Sequence, residues 1–112
     1  MSFAVFDIVV VPFPYSDRLA EKRRPALVVS APELGDQLDR LWVAMITTDR
    51  GQRIHGDAAI ADLTAAGLPA ASIVRASKIA TIETDRVLRR AGRLSARDET
   101  QAVAALRSCA GF

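Results

Sequence analysis

The chain has 112 residues, half of them apolar and a quarter charged, with a formal net charge of +2. This fits one domain, residues 1–112, around a single core, and it excludes a disordered or fibrous chain. The one cysteine, Cys109, excludes a disulfide framework and a cysteine metal cluster, and no apolar run approaches the roughly 20 residues of a membrane helix.

The apolar run from Phe6 to Phe13 is β-branched and reads as a buried strand ended by Pro12-Phe13-Pro14. Asp7 and those prolines also break any signal-peptide pattern, so a cytoplasmic location is expected. Tyr15 to Lys22 is a polar loop. Lys22-Arg23-Arg24-Pro25 brings three cations to the start of a second strand, Pro25 to Ser30. Proline, without an N–H, is tolerated as a strand's first residue, and the residue before it is held extended, so Arg24 is partly pre-organised. Pro32 to Asp39 carries Gly35 and acids and reads as a turn or loop. Leu41 to Thr47 is a third strand whose alternation puts Trp42, Ala44 and Ile46 on one face, with Trp42 in the core.

Asp49 to Gly56 is a charged loop and Ala58 to Ile60 a short fourth strand. Asp62 to Ala66 forms one or two helical turns, with Asp62 as N-cap and Gly67 as the stop. Ser72 to Ile82 is a strand long enough to need a bend, followed by the turn Glu83-Thr84-Asp85 and a strand from Val87 to Gly92. Ser95 to Asp98 looks like a capping box and opens an amphipathic helix, with Ala102, Val103, Leu106, Cys109 and Ala110 at helical spacing and Cys109 in the core. Several strands in series and one closing helix predict a mainly β fold, a small curled antiparallel sheet that is barrel-like.

Charge is distributed unevenly. Glu33 to Asp62 holds six acids and three bases, whereas Arg75 to Arg97 holds seven bases and two acids. Such a surplus marks either a face for a polyanion or an arginine-rich solubilising surface. The sequence has no glycine-rich phosphate loop, no nucleophile elbow and no metal-spaced ligand set, so no cofactor or metal is expected. His55 is the single histidine, which excludes a two-histidine ribonuclease, and it reads as a surface residue.

What remains is the Arg23-Arg24-Pro25 run and the hydroxyl pair Thr47-Thr48. Strands two and three are consecutive, and antiparallel pairing would bring Arg24 and Thr47 to one edge of the sheet. A guanidinium fork beside a hydroxyl suits a phosphate.

The ordered succession FDIVVVPFPYSD, KRRPALVVS, a strand closing in Ile46-Thr47, SKIATIE and LRRAGRLS resembles the PemK/MazF family from about Phe6 to Leu106. The family consists of toxins of bacterial type II toxin–antitoxin pairs. The resemblance implies a small SH3-like barrel with a C-terminal helix (CcdB/MazF-like), a homodimer, and metal-independent cleavage of single-stranded RNA. It also implies an antitoxin partner whose acidic, apolar tail competes with RNA. Carried over by position, the catalytic arginine before proline is Arg24 and the catalytic threonine is Thr47. Lys78, just before the IATIE strand, is expected on the substrate groove, with Arg23, Thr48 and Arg53 as lesser RNA contacts. Two departures stand out: Phe6 precedes Asp7 where many relatives have glycine, and Asp49 replaces a glutamine with an acid expected to repel phosphate. The alternatives are a CcdB-like inhibitor of DNA gyrase, and an impaired member that survives as an antitoxin-binding or regulatory protein.

Overall fold

The computed structural model describes residues 2–13 and 22–112; of the loop expected over Tyr15 to Lys22, all but Lys22 lies outside them, as does Pro14. The described strands are β1 (Asp7–Phe13), β2 (Lys22–Val28), β3 (Arg40–Thr48), β4 (Asp57–Ala59), β5 (Ser72–Glu83) and β6 (Arg89–Arg93). They form one antiparallel sheet in the order β4-β5-β3-β2-β1-β6. The sheet curls but does not close, so β4 and β6 are its two edges. Among the described residues three α-helices accompany it: α1 (Pro32–Leu38), α2 (Leu63–Ala66) and the C-terminal α3 (Ala96–Ala110).

Strand alternation sends side chains to both faces, and both are buried. On one face Val9, Val11, Ala26, Val28, Val43, Met45 and Ile82 pack with Phe3. On the other, Ile8, Leu27, Ala44, Ile46 and Val74 pack under Ile60, Ala66, Leu94 and Ala102. The aliphatic β-branched runs therefore serve a sheet covered on two sides. The joint between α2 and β6 depends on glycine: a Cβ on Gly67, whose φ is +71°, would lie 1.9 Å from Ala91 O, and one on Gly92 would lie 2.4 Å from Ala65 O.

Four sequence expectations change. The second strand starts at Lys22, so Pro25 lies inside it, opposite Val10, and the cations belong to the sheet. Pro32 to Leu38 is a helix with proline in its first turn, closed by Asp39 at φ 55°; Gly35 and the acids are tolerated because this short helix buries no residue. Trp42 has the expected alternation but is 51% exposed, because the cover over Ala44 and Ile46 does not extend to it. Cys109 is exposed as well: it continues the stripe of Asp98, Ala102 and Ala105, but burial along α3 ends at Ala105. Other signals hold. Asp62 Oδ1 accepts the Ala65 N–H at 3.0 Å and Gly67 ends α2 in the left-handed region. Ser95 Oγ accepts the Asp98 N–H at 3.2 Å, but the Asp98 carboxylate turns away to the Ala61 and Asp62 N–H groups, 2.9 Å each, so the box is half made.

Phe6, not a glycine, has a φ of 73°. Its N–H donates to Val28 O at 2.8 Å and its carbonyl accepts from Leu94 N–H at 3.1 Å, which fixes the strained conformation. A left-handed L-residue costs roughly 1–2 kcal/mol. Phe6→Gly and Phe6→Ala both lose the same ring packing, but only glycine relieves the strain. Denaturant unfolding is expected to find the Gly variant more stable than the Ala variant by about 1 kcal/mol, the reverse of their usual order within a strand. Equal stabilities would show that the position carries no strain.

Candidate active site

Pro25 shapes the site by what it lacks. Val29 N–H donates to Trp42 O at 2.9 Å, so the odd-numbered residues of β2 face β3. Pro25 occupies such a position without an N–H to give. The β2–β3 ladder accordingly runs Val28↔Val43, Leu27↔Ala44, Ala26↔Met45 and stops there. Extended by two residues, this register sets Arg24 across from Thr47. Arg24 is also directly opposite Val11 on β1, and Thr47 opposite Ile73 on β5.

Opposed residues share a face of a sheet. Arg24 and Thr47 therefore lie on the face of Val11, Ala26 and Met45, one step beyond the buried core, and both are half-buried. Arg24 makes no ion pair among the described residues. The extended register sets one cation and one hydroxyl across from each other on one face, beyond the end of a ladder. That is a geometry for gripping the non-bridging oxygens of a phosphate.

The other candidates do not join them. Arg23 is opposite Pro12 and Thr48 opposite Ser72, both exposed and on the reverse face. Lys78 lies in a bulge: Arg75 is opposite Met45 and Ile79 opposite Ala44, which leaves residues 76–78 between two adjacent rungs and puts Lys78 nearer Ala44 than Thr47. Arg53 is held by Asp49, its Nη2 2.8 Å from Asp49 Oδ2.

In that pairing the Asp49 charge is balanced locally by Arg53. Its carboxylate accepts from Arg53 and from the Gly51 N–H at 3.0 Å, and its own N–H donates to Ala71 O. The Arg53 hydrogen bond, then that of Gly51, holds its carboxyl below the usual carboxylate range. Much of the basic surplus is also spent in pairs. Arg90 and Arg93 both bind Asp7, and Arg75 grips Asp57 through two bonds of 3.0 Å. Neither the Asp49 nor the Asp57 pairing was expected from sequence; a four-residue spacing is a signal only on a helix, and Asp57 meets Arg75 only once β4 lies beside β5.

The Asp57 side chain is 1% exposed, and the Arg75 hydrogen bond is the chief cause that lowers its pKa, against the opposing effect of burial. A carboxyl whose folded pKa is depressed adds stability above its unfolded pKa, near 3.9, and loses it as pH falls through the folded value. Acid unfolding followed by circular dichroism is therefore expected to show Asp57→Asn less stable than wild type near neutrality, with the gap closing as the pH falls below about 4. A gap constant with pH would show that the pair does not contribute.

Residues 4–109 match the family model described as the PemK-like, MazF-like toxin of type II toxin–antitoxin systems. The chain belongs to the PemK/MazF family. Solved structures agree on the fold. A mycobacterial endoribonuclease in complex with its cognate antitoxin superposes with a TM-score of 0.80 at 18% identity, covering 99% of this chain and 97% of that one. MazF from Deinococcus radiodurans gives 0.78 at 18% identity, covering 100% and 99%. The Mycobacterium tuberculosis toxin MazF-mt6 gives 0.76 at 22% identity, covering 95% and 97%. No curated protein matches the chain in sequence. The chain thus has the MazF-like fold, and none of its described helices is long and apolar enough to cross a membrane.

Proposed function

We propose that this PemK/MazF-family toxin is a metal-independent endoribonuclease acting on single-stranded RNA, with Arg24 and Thr47 as its catalytic pair. The observation that carries the reading is the shared register position: one cation and one hydroxyl on one face, at the end of a ladder that Pro25 cuts short. In the reaction the RNA 2′-hydroxyl attacks its own neighbouring phosphorus. The new P–O2′ bond forms, the P–O5′ bond breaks, and the hydroxyl proton passes to solvent as the 5′-oxygen takes one up. The products are a 2′,3′-cyclic phosphate and a 5′-hydroxyl.

Charge gathers on the non-bridging oxygens and on the leaving oxygen, and donors fixed in advance at those places lower the barrier. Arg24 supplies a guanidinium fork, which is a poor base near neutrality and so serves by donating hydrogen bonds to the developing charge. Thr47 donates its hydroxyl to a non-bridging oxygen. The partners in this reading are single-stranded RNA, an antitoxin protein and a second copy of the chain, in the cytoplasm. An exposed apolar hollow of about 750 Å³ beside Trp42, Ile79 and Phe112 supports the homodimer.

The test is incubation of purified protein with a long unstructured RNA in EDTA, followed by mapping of the fragment ends. Discrete cuts with 5′-hydroxyl ends are expected. Intact RNA at every protein concentration would sink the reading and turn attention to gyrase trapping.

A further inference from the structure

A polar cavity, of about 530 Å³, opens between the edge strand β4 and helix α3. Arg53, Asp57, Ala59, Arg97, Gln101 and Ser108 line it, with Asp98 at its base. Its two carboxylates are already engaged. Asp57 is bound by Arg75 and by the Ile54 N–H at 2.9 Å, and Asp98 by the Ala61 and Asp62 N–H groups. The arginines are not spent in the same way. Arg97 makes no ion pair among the described residues, and Arg53 is held at the rim by Asp49 with its side chain still 46% exposed.

Two further features point to an anion. Arg97 stands in the first turn of α3, where the helix dipole opposes a cation, so local stability does not account for it. The backbone also contributes. Gly56 O accepts from Ala76 N–H and Ile60 N–H donates to Ser72 O, so the even-numbered residues of this segment face β5. The alternation turns the Ala59 N–H to the outer edge of the sheet, and Ala59 is one of the residues that line the cavity.

Ala59 pairs with Ile73, Ile73 with Thr47, and Thr47 lies across from Arg24. The row ends at the β4 edge, three strand spacings or about 14 Å from Arg24 along the sheet, and the cavity lies beyond that edge on the side that α3 covers, the reverse of the face of Arg24 and Thr47. An RNA strand of several nucleotides that passes round the β4 edge would join the two.

We propose that the β4–α3 cavity is a flanking-phosphate subsite: Arg97, Arg53 and the Ala59 N–H hold a phosphodiester of the RNA strand whose scissile phosphate lies between Arg24 and Thr47. Asp49 acts here as a positioning residue that aims Arg53. The inference rests on the ribonuclease reading for its ligand, but its geometry is separate from the catalytic pair.

The test uses oligouridylates of two lengths, one able to cover only the Arg24–Thr47 edge and one long enough to reach α3, with 2′-deoxy sugars so that binding is read without turnover. Fluorescence anisotropy is expected to show Arg97→Ala and Arg53→Ala each weakening the long oligomer severalfold and leaving the short one unchanged. The slope of log affinity against log salt should fall by about 0.7 for each phosphate the variant no longer neutralises. Asp49→Asn should act in the same direction, and in an Arg53→Ala background it should add nothing, since its effect passes through Arg53. Arg97 is exposed on α3, so its removal leaves the fold intact.

Equal weakening of both lengths, no weakening of either, or tighter binding by Asp49→Asn overturns the subsite. Wild-type protein that binds neither length overturns the subsite and the ribonuclease reading together. Arg97-dependent binding of the long oligomer by a protein that cuts no RNA fails the ribonuclease reading alone.

Discussion

Arg24→Ala is expected to slow RNA cleavage by about a hundredfold or more, the loss typical when one positioned donor is removed from a site of developing charge. RNA binding should weaken much less, because in the proposed reaction Arg24 would neutralise one phosphate among several and its removal should lower the salt slope by only about 0.7. Stability should change by no more than about 0.5 kcal/mol, since Arg24 is half-buried and ion-paired to no described residue. Arg24→Lys restores the charge but not the planar fork, so it should recover only part of the rate. Single-turnover cleavage at saturating protein separates the two effects. A variant with normal single-turnover rate and poor binding would reduce Arg24 to a binding cation.

The largest effect on stability is expected at Asp7→Ala. The Asp7 carboxylate is 6% exposed and gathers the start of the sheet: Oδ2 accepts from Ala4 N–H at 2.8 Å and Arg90 Nε at 3.1 Å, and Oδ1 from Arg93 Nη1 at 3.0 Å. Arg90 also donates to Ser2 O at 2.9 Å and lies 5.3 Å from the centroid of Phe3, which closes one core. Removing one member of a buried ionic network costs about 3–5 kcal/mol. Here the lower end, about 3 kcal/mol, is expected because the two arginines are 43% and 49% exposed and rehydrate once released. For a chain of this length that is a fall of roughly 10 °C in Tm, with Asp7→Asn losing less because it keeps one acceptor. A loss below about 1 kcal/mol would show that the arginines hold the N-terminal segment without the carboxylate.

The strands were legible because β-branched runs bounded by proline, glycine and acids leave few choices, and the helix stop at Gly67 follows from the same chemistry. Arg24 and Thr47 were legible as a pair because consecutive strands usually lie side by side. What remained hidden depends on tertiary placement. Nothing in the order of residues says that Asp7 will meet Arg90 and Arg93, or that Asp49 will be balanced by Arg53. Trp42 and Cys109 followed their apolar periodicity to the correct side of strand and helix, yet the cover there ends before it reaches them. Periodicity reports the face of an element and is silent on how far its cover extends. Proline likewise signalled a strand end at Pro25, and the actual boundary it sets is lateral: it ends the ladder to β3 and leaves the strand itself unbroken.

The most direct measurement is a double-mutant cycle on single-turnover cleavage with Arg24→Ala and Thr47→Ala, using one RNA and mapping one cut. If both side chains act on the same phosphate across the end of the β2–β3 ladder, the double variant will be little slower than the slower single variant, because each loss already removes much of the other's effect. Losses that multiply, or a Thr47→Ala protein that cuts at the wild-type rate, would show that Arg24 and Thr47 do not form one site.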